Sequence, residues 1–390
     1  MREPLSREAQ LLLVIARPSL DEASRERIRS LIQSGLDWNL LHIIASRHRL
    51  GMFLYTHLNA VAAPEVPRPV FMDLWRTYEN NSRLNASRLI EVARIVNVLE
   101  VGGLRVVPYK GVVTALQIYG DLSLREFEDL DILVRFDDMN RAKAILGESG
   151  YHTADALDST AEAAMYQSRE QYHRVFVHRQ TGEKLEVHWK TDPRFPVERS
   201  NVAAWWDGLS RIDLGGTPAR TFTWAEQVII LSLHGTKHQG HRLGWMLELA
   251  TLINRQDVDW GFVEQEITRL GCRRRVLVSL LLARQWAGAV LPDAIDRAIA
   301  AEAQVTETAR AIGERLFTTD VNEREAFDRL RLDLQLYDRW PQRVKHLADV
   351  TLTPTTAERQ AYSLPRSLEF LYWPVRVAKL AIKYAPRLRR

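Results

Sequence analysis

Apolar residues recur at helical spacing through the first hundred residues of the chain. A short apolar run covers Ala9–Ile15. Asp37–Leu58 sets Leu40, Leu41, Ile44, Leu50, Phe53 and Leu54 on the three-and-four repeat of an amphipathic helix. Pro64, Pro67 and Pro69 punctuate, and a long third pattern runs through Trp75, Leu84, Leu89, Val92 and Val98 to a stop at Gly102-Gly103. The texture then changes. Leu104–Pro108 reads as a β-branched strand, Lys110-Gly111 opens an apolar helix to about Tyr119, and Gly120-Asp121 breaks it. Residues 125–134, REFEDLDILV, run into a second strand. Asp137 or Asp138 then caps a helix reaching Gly147–Gly150, with Met139, Ala142, Ile145 and Leu146 as its apolar side. Tyr172–His178 and Lys184–Trp189 are predicted as two strands joined by a turn at Gln180–Glu183. From Trp224 the pattern is helical again, through Leu231, Leu233, Leu247, Leu249, Leu252 and Ile253, then Val276–Leu282, and on to the end.

This order predicts an α+β fold in three regions: helical 1–103, a small mixed-sheet core over 104–222, and helical 223–390. The bulk numbers fit, since 390 residues with 46% hydrophobic and 26% charged positions describe a globular chain of more than one domain. No internal repeat or low-complexity linker interrupts it, no apolar run is long enough to span a bilayer, and no signal-peptide core opens it. A net charge of +4 permits an anionic substrate without demanding nucleic acid, which is not expected as a partner. Cys272 is the sole cysteine, so no intrachain disulfide forms, and a reducing cytoplasm is the expected location.

The chemistry gathers in the middle third. Side chains at i and i+2 share a strand face, so Asp129 and Asp131 face one way while Leu130, Ile132 and Val134 face the other. Two carboxylates held together need a cation, or one stays protonated. Mg²⁺ or Mn²⁺ suits oxygen ligands of this kind. The plainer alternative is an Asp-X-Asp at a strand edge with no ligand. In LEVHW, 185–189, Glu186 and His188 share one face, and Leu185, Val187 and Trp189 the other. Glu186 thus offers a third carboxylate, or is merely solvent-facing. Three carboxylates on two neighbouring strands can hold two metal ions about 3.5–4 Å apart, the spacing of phosphoryl-transfer sites. Lys110-Gly111 lies where a strand turns into a helix, so free backbone N–H groups and the lysine charge can meet phosphate. The P-loop pattern is absent. Arg125 lies four residues before Asp129, within reach of a triphosphate or of a surface pairing with Glu126 or Glu128.

Taken in order, Tyr109-Lys110-Gly111, Arg125, Asp129–Val134 and Glu186-Val187-His188-Trp189 resemble the motifs of an uncharacterised bacterial nucleotidyltransferase family. That family is placed with the polymerase-β-like nucleotidyltransferases. The resemblance extends to DWNLLHIIASRHRLGMFLY and HGTKHQGHRLGWMLELA, close to the full length. It implies a nucleotidyltransferase core in the small sheet and transfer of NMP from an NTP, with ATP expected, to an unidentified acceptor with Mg²⁺ or Mn²⁺. It assigns Asp129, Asp131 and Glu186 to metal and catalysis, and Lys110, Gly111 and Arg125 to the nucleotide. The alternative is a catalytically silent nucleotide- or partner-binding module on the same fold. The chain departs from the wider pattern in having Lys-Gly where Gly-Ser or Gly-Gly is usual, Glu128 where Gly is common, and Glu248 where Asp is frequent.

His234 and His238 share a helix face, and His241 follows. Gly235 stands where a metalloprotease helix needs Glu, so packed histidines are the better reading than zinc. With His188, Lys237 and Arg242, these two histidines are candidate substrate or cleft contacts, as the resemblance favours. The tail carries Arg376, Lys379, Lys383, Arg387, Arg389 and Arg390 with no acid after Leu371. Peripheral membrane contact is one reading of it; a terminal helix with a solvated basic side is preferred.

Overall fold

The structure is a computed structural model describing residues 5–155, 166, 171–192, 203–240, 242–317, 324–352, 368 and 371–384, without the side chains of 324–327 and 380–384. His241 and the tail's Arg387, Arg389 and Arg390 lie outside these residues, and Lys383 is described by backbone alone.

The N-terminal helices are α1 (Arg7–Ile15), α2 (Glu22–Gln33), α3 (Trp38–His48), α4 (Gly51–Val61) and α5 (Arg68–Val101). The single pattern over 37–58 divides in two because Arg49 turns left-handed at φ 57°, closing α3 as a glycine would. Asp21 and Asp37 cap α2 and α3 by accepting from the N–H groups of Ser24 and Leu40.

The middle region runs β1 (Val106–Pro108), α6 (Gly111–Thr114) with a π turn over Ala115–Tyr119, β2 (Leu130–Val134), α7 (Met139–Glu148), β3 (Tyr151–Thr153), β4 (His173–His178) and β5 (Lys184–His188). The strands lie in the order β1-β2-β5-β4-β3. β2 and β5 run parallel, and the other neighbours antiparallel. Alternation decides the two faces. Leu130, Ile132, Val134, Leu185 and Val187 enter a core with Val92, Val96 and Leu99 of α5 and Met139 and Leu146 of α7. The intervening residues Asp131, Glu186 and His188 go to the other face. A separate hairpin joins β6 (Ser210–Asp213) to β7 (Pro218–Thr221).

The C-terminal helices begin with α8 (Trp224–Lys237), α9 (Leu243–Arg255), α10 (Trp260–Leu270), α11 (Arg273–Ala287), α12 (Asp293–Ala300) and α13 (Ala303–Gly313). They close on the N-terminal helices. A Cβ on Gly244 would stand 2.8 Å from the carbonyl oxygen of His48, and the Leu243 N–H donates to His48 Nδ1 at 3.2 Å. Contacts divide the chain into two compact units, Met1–Val321 and Asn322–Arg390. The second contains α14 (Arg324–Gln335), α15 (Trp340–Leu352) and α16 (Tyr372–Tyr384), and Arg376 of α16 donates to the Val350 carbonyl at 3.1 Å. Among the described residues, no helix is long and apolar enough to cross a membrane.

A capping box starts α8: the Thr223 N–H donates to Glu226 at 2.8 Å, and the Glu226 N–H donates to Thr223 Oγ1. Burial, with a smaller push from Glu266, raises the Glu226 carboxyl from its ordinary 4.5 to about 7. The folded chain therefore binds more protons than the unfolded one between these values, and stability falls as pH rises across them, by on the order of 3 kcal/mol. Glu226→Gln keeps an acceptor for the cap and removes the proton exchange. Thermal melts from pH 5 to 7 are expected to lose this share of their slope.

Candidate active site

The run entering β2 is held from outside the sheet. On α5, the side-chain amides of Asn81 and Asn85 donate to the Arg125 carbonyl at 3.1 and 2.7 Å. Arg88 donates to the Phe127 carbonyl, reaches the Glu128 carbonyl at 3.3 Å and pairs with Glu183 at 2.9 Å. The chain thus arrives at Asp129 in a fixed path, with side-chain donors on the carbonyls of Arg125, Phe127 and Glu128.

β2 and β5 then set the carboxylates side by side. In their parallel register Asp131 pairs with Glu186 and Leu133 with His188. His188, fully buried, approaches both acids through Nε2, at 2.9 Å from Asp131 Oδ1 and 3.1 Å from Glu186 Oε2. Lys110 Nζ reaches the same Asp131 oxygen at 3.1 Å. Burial opposes the charge on Asp131, but Lys110 and His188 outweigh it and hold its carboxyl well below the ordinary carboxylate range. For Asp129 the charges of Lys110 and Arg125 pull the same way but are outweighed. Burial, then the charges of Asp131 and Glu186, push it up to about 6.

Lys110 sits at a sharp corner. The Tyr109 N–H still donates to the Asp131 carbonyl at 3.2 Å, extending the β1–β2 ladder. Lys110 then takes φ 54° and ψ −148°, and Gly111 follows at φ 33°. This reversal turns the chain into α6 and leaves the ammonium over the Tyr109 ring, 4.7 Å from its centroid, and against Asp131.

Arg125, expected at the triphosphate, is turned elsewhere. Its Nε donates to Glu248 Oε1 at 2.8 Å and its terminal nitrogen to Oε2 at 3.3 Å, both side chains being buried. The pair ties the sheet region to α9.

A second ring of groups surrounds the carboxylates. His173 on β4 lies across from His188, with its Nε2 3.5 Å from Glu186 Oε1. Tyr172 packs on both imidazoles, and Lys237 donates to its hydroxyl. His234 is pushed well below its ordinary value, by burial first and then by the charge of Lys110. His234 and His238 pack edge to face at 5.1 Å and both lie against Trp245, over which Arg242 stacks at 5.0 Å. The structure therefore brings Lys110, Asp131, Glu186 and His188 together, with Asp129 just before β2 and under the charges of Asp131 and Glu186. Lys237 stands at their edge through Tyr172; His234, His238 and Arg242 lie against Trp245, and Arg125 on Glu248.

Sequence reasoning missed His173, Tyr172, Asn81, Asn85 and Arg88. Strand alternation with the hairpin register finds His173, since it falls opposite His188. The α5 donors leave no such trace, because their partners are backbone carbonyls about forty positions on.

A family model described as an uncharacterised nucleotidyltransferase matches residues 34–288. The chain belongs to that family. The match runs from the turn before α3 to the end of α11 and so includes every site residue named above. No curated protein matches significantly. One solved structure that is similar is that of an antigenic nucleotidyltransferase-like protein from Paracoccidioides brasiliensis. It is 14% identical, with 56% of this chain and 98% of that one covered and a TM-score of 0.33.

Proposed function

We propose that this nucleotidyltransferase family member moves an NMP from an NTP, ATP in the first instance, to a hydroxyl of an acceptor. The observation that carries this reading is the register pairing of Asp131 with Glu186, with Asp129 at the entrance of the same strand. The donor chemistry suits a hard dication: three carboxylates lie on one face of β2 and β5, less closely gathered than the ligand atoms of His173, Glu186 and His188, and Asp129 carries an excess of negative surroundings that such an ion relieves. Asp129, Asp131 and Glu186 would hold Mg²⁺ or Mn²⁺. A bound dication would neutralise the triphosphate and acidify the acceptor hydroxyl.

The chain's own groups do the rest. Lys110 exchanges Asp131 for phosphate oxygens, and the Gly111 backbone supports it. Glu186 takes the acceptor proton as the acceptor oxygen bonds to the α-phosphorus, and the bond from that phosphorus to the bridging oxygen breaks to release pyrophosphate. Arg125 keeps Glu248 and positions the run into Asp129; a direct role on phosphate requires breaking that pair. The placement fits the polymerase-β-like class.

The test is transfer of α-labelled NTP into cell extract. Asp129→Ala with Asp131→Ala is expected to lower label transfer and pyrophosphate release by on the order of a thousandfold. Equal transfer by both proteins sinks the proposal. Lys110 and His188 already neutralise Asp131, which favours a second reading, a nucleotide-binding module without transfer. Saturable NTP binding with no pyrophosphate release identifies it.

A further inference from the structure

Glu186 faces two different sets of neighbours. On the β2 side stands Asp131, an oxygen donor. On the β4 side stand two imidazoles. β5 carries Glu186 and His188 two apart on one face, and the antiparallel register sets His173 of β4 directly across from His188. One ligand atom from each of His173, Glu186 and His188 lies within 4.8 Å of the other two, and among the described residues this is the cluster of metal-binding side chains that meets so closely.

Two of its spacings are close to those of a coordination shell. Bonds of about 2.1 Å to a common ion place neighbouring ligand atoms about 3.0–3.4 Å apart in tetrahedral or octahedral geometry. The imidazole nitrogens stand 3.1 and 3.5 Å from the two oxygens of Glu186. Hydrogen bonding explains the cluster less well. An Nε2 proton on His188 has two carboxylates to serve, and the 3.5 Å contact from His173 is at the limit of a bond. The Nδ1 atoms of His173 and His188 are both buried without a hydrogen-bond partner, so packing alone orients each ring on that side.

We infer that His173, Glu186 and His188 form a site for a first-row transition-metal dication of the Mn²⁺, Co²⁺ and Zn²⁺ class. This deepens the proposed function by making the centre asymmetric. The Asp129–Asp131 side offers oxygen alone, as Mg²⁺ prefers, while the Glu186 side offers two nitrogens and one carboxylate, a set that suits imidazole-binding metals. Three protein ligands leave coordination positions open for a substrate oxygen.

Co²⁺ is the probe, because its visible absorption reports nitrogen ligation whether or not the chain transfers nucleotide. The full chain is expected to bind Co²⁺ and to keep it against about a hundredfold excess of Mg²⁺. His173→Ala, at a partly exposed strand start, is expected to weaken binding at least about tenfold, as is His188→Gln. Thermal melts of both variants separate this loss from unfolding, and His173→Asn repeats the test if the alanine variant is unstable. Displacement of Co²⁺ by equimolar Mg²⁺, or unchanged affinity in folded His173 variants, overturns the site. NMP transfer with Mg²⁺, assayed in parallel, keeps the two proposals apart. Transfer without a Co²⁺ site removes this inference alone, and a Co²⁺ site without transfer removes the nucleotidyl-transfer reading alone.

Discussion

Arg125→Ala is expected to destabilise the fold by about 3–5 kcal/mol in urea melts, because it strands a buried carboxylate. Glu248 is 6% exposed and receives two hydrogen bonds from the guanidinium. No other charge partner for it appears among the described contacts. Arg125→Lys does not rescue the fold, since a point charge cannot serve both carboxylate oxygens in one plane. Replacing both partners, Arg125→Met with Glu248→Leu, removes the charge and the need for it together. That double variant is expected to return close to the parent stability, as buried ion pairs exchanged for apolar residues commonly do. It also isolates the role of Arg125. As a positioning residue it leaves the KM for NTP nearly unchanged once the fold is restored; as a triphosphate ligand it raises that KM at least about tenfold. The first outcome is expected, since Asn81, Asn85 and Arg88 still grip the carbonyls of 125, 127 and 128.

This pair shows where the sequence stops being legible. The local facts were readable. Alternation in REFEDLDILV and LEVHW sorted carboxylates from core residues, and the structure keeps Leu130, Ile132, Val134, Leu185 and Val187 in the core. The turn at Gln180–Glu183 joins β4 and β5 as the pattern requires. Period and turn chemistry act over a few residues, so a single sequence contains them. Arg125 and Glu248 are 123 positions apart, and nothing in the texture of either segment points to the other. The same limit hid β3, whose three residues give alternation too little length, and the β6–β7 hairpin. In β6 the pattern is half-exposed and charged, SRID, which reads as loop. The split of the 37–58 helix escaped for a different reason, since Arg49 takes a backbone conformation that its residue type does not announce.

Lys110 takes such a conformation at the site itself, and the strain there is measurable. With φ 54° and ψ −148°, it lies by a region that only glycine occupies freely, at a strain of about 1–3 kcal/mol. In ordinary backbone an alanine is more stable than a glycine by roughly 0.5–1 kcal/mol. Here the order is expected to invert: Lys110→Gly melts higher than Lys110→Ala, by a margin of about 1–2 kcal/mol. Both variants lose the same contact to Asp131, which retains His188 at 2.9 Å, so the comparison cancels the ion pair and leaves the backbone. Function is expected to move the other way. Without the ammonium, both variants are expected to lose on the order of a hundredfold in kcat/KM for NMP transfer, since the charge proposed to meet the triphosphate is gone. The corner then holds a side chain against its backbone preference for the sake of one charge. A Lys110→Gly protein that is more stable than Lys110→Ala yet equal to the parent in transfer assigns the phosphate contact to another residue; one that is less stable than Lys110→Ala removes the strain argument.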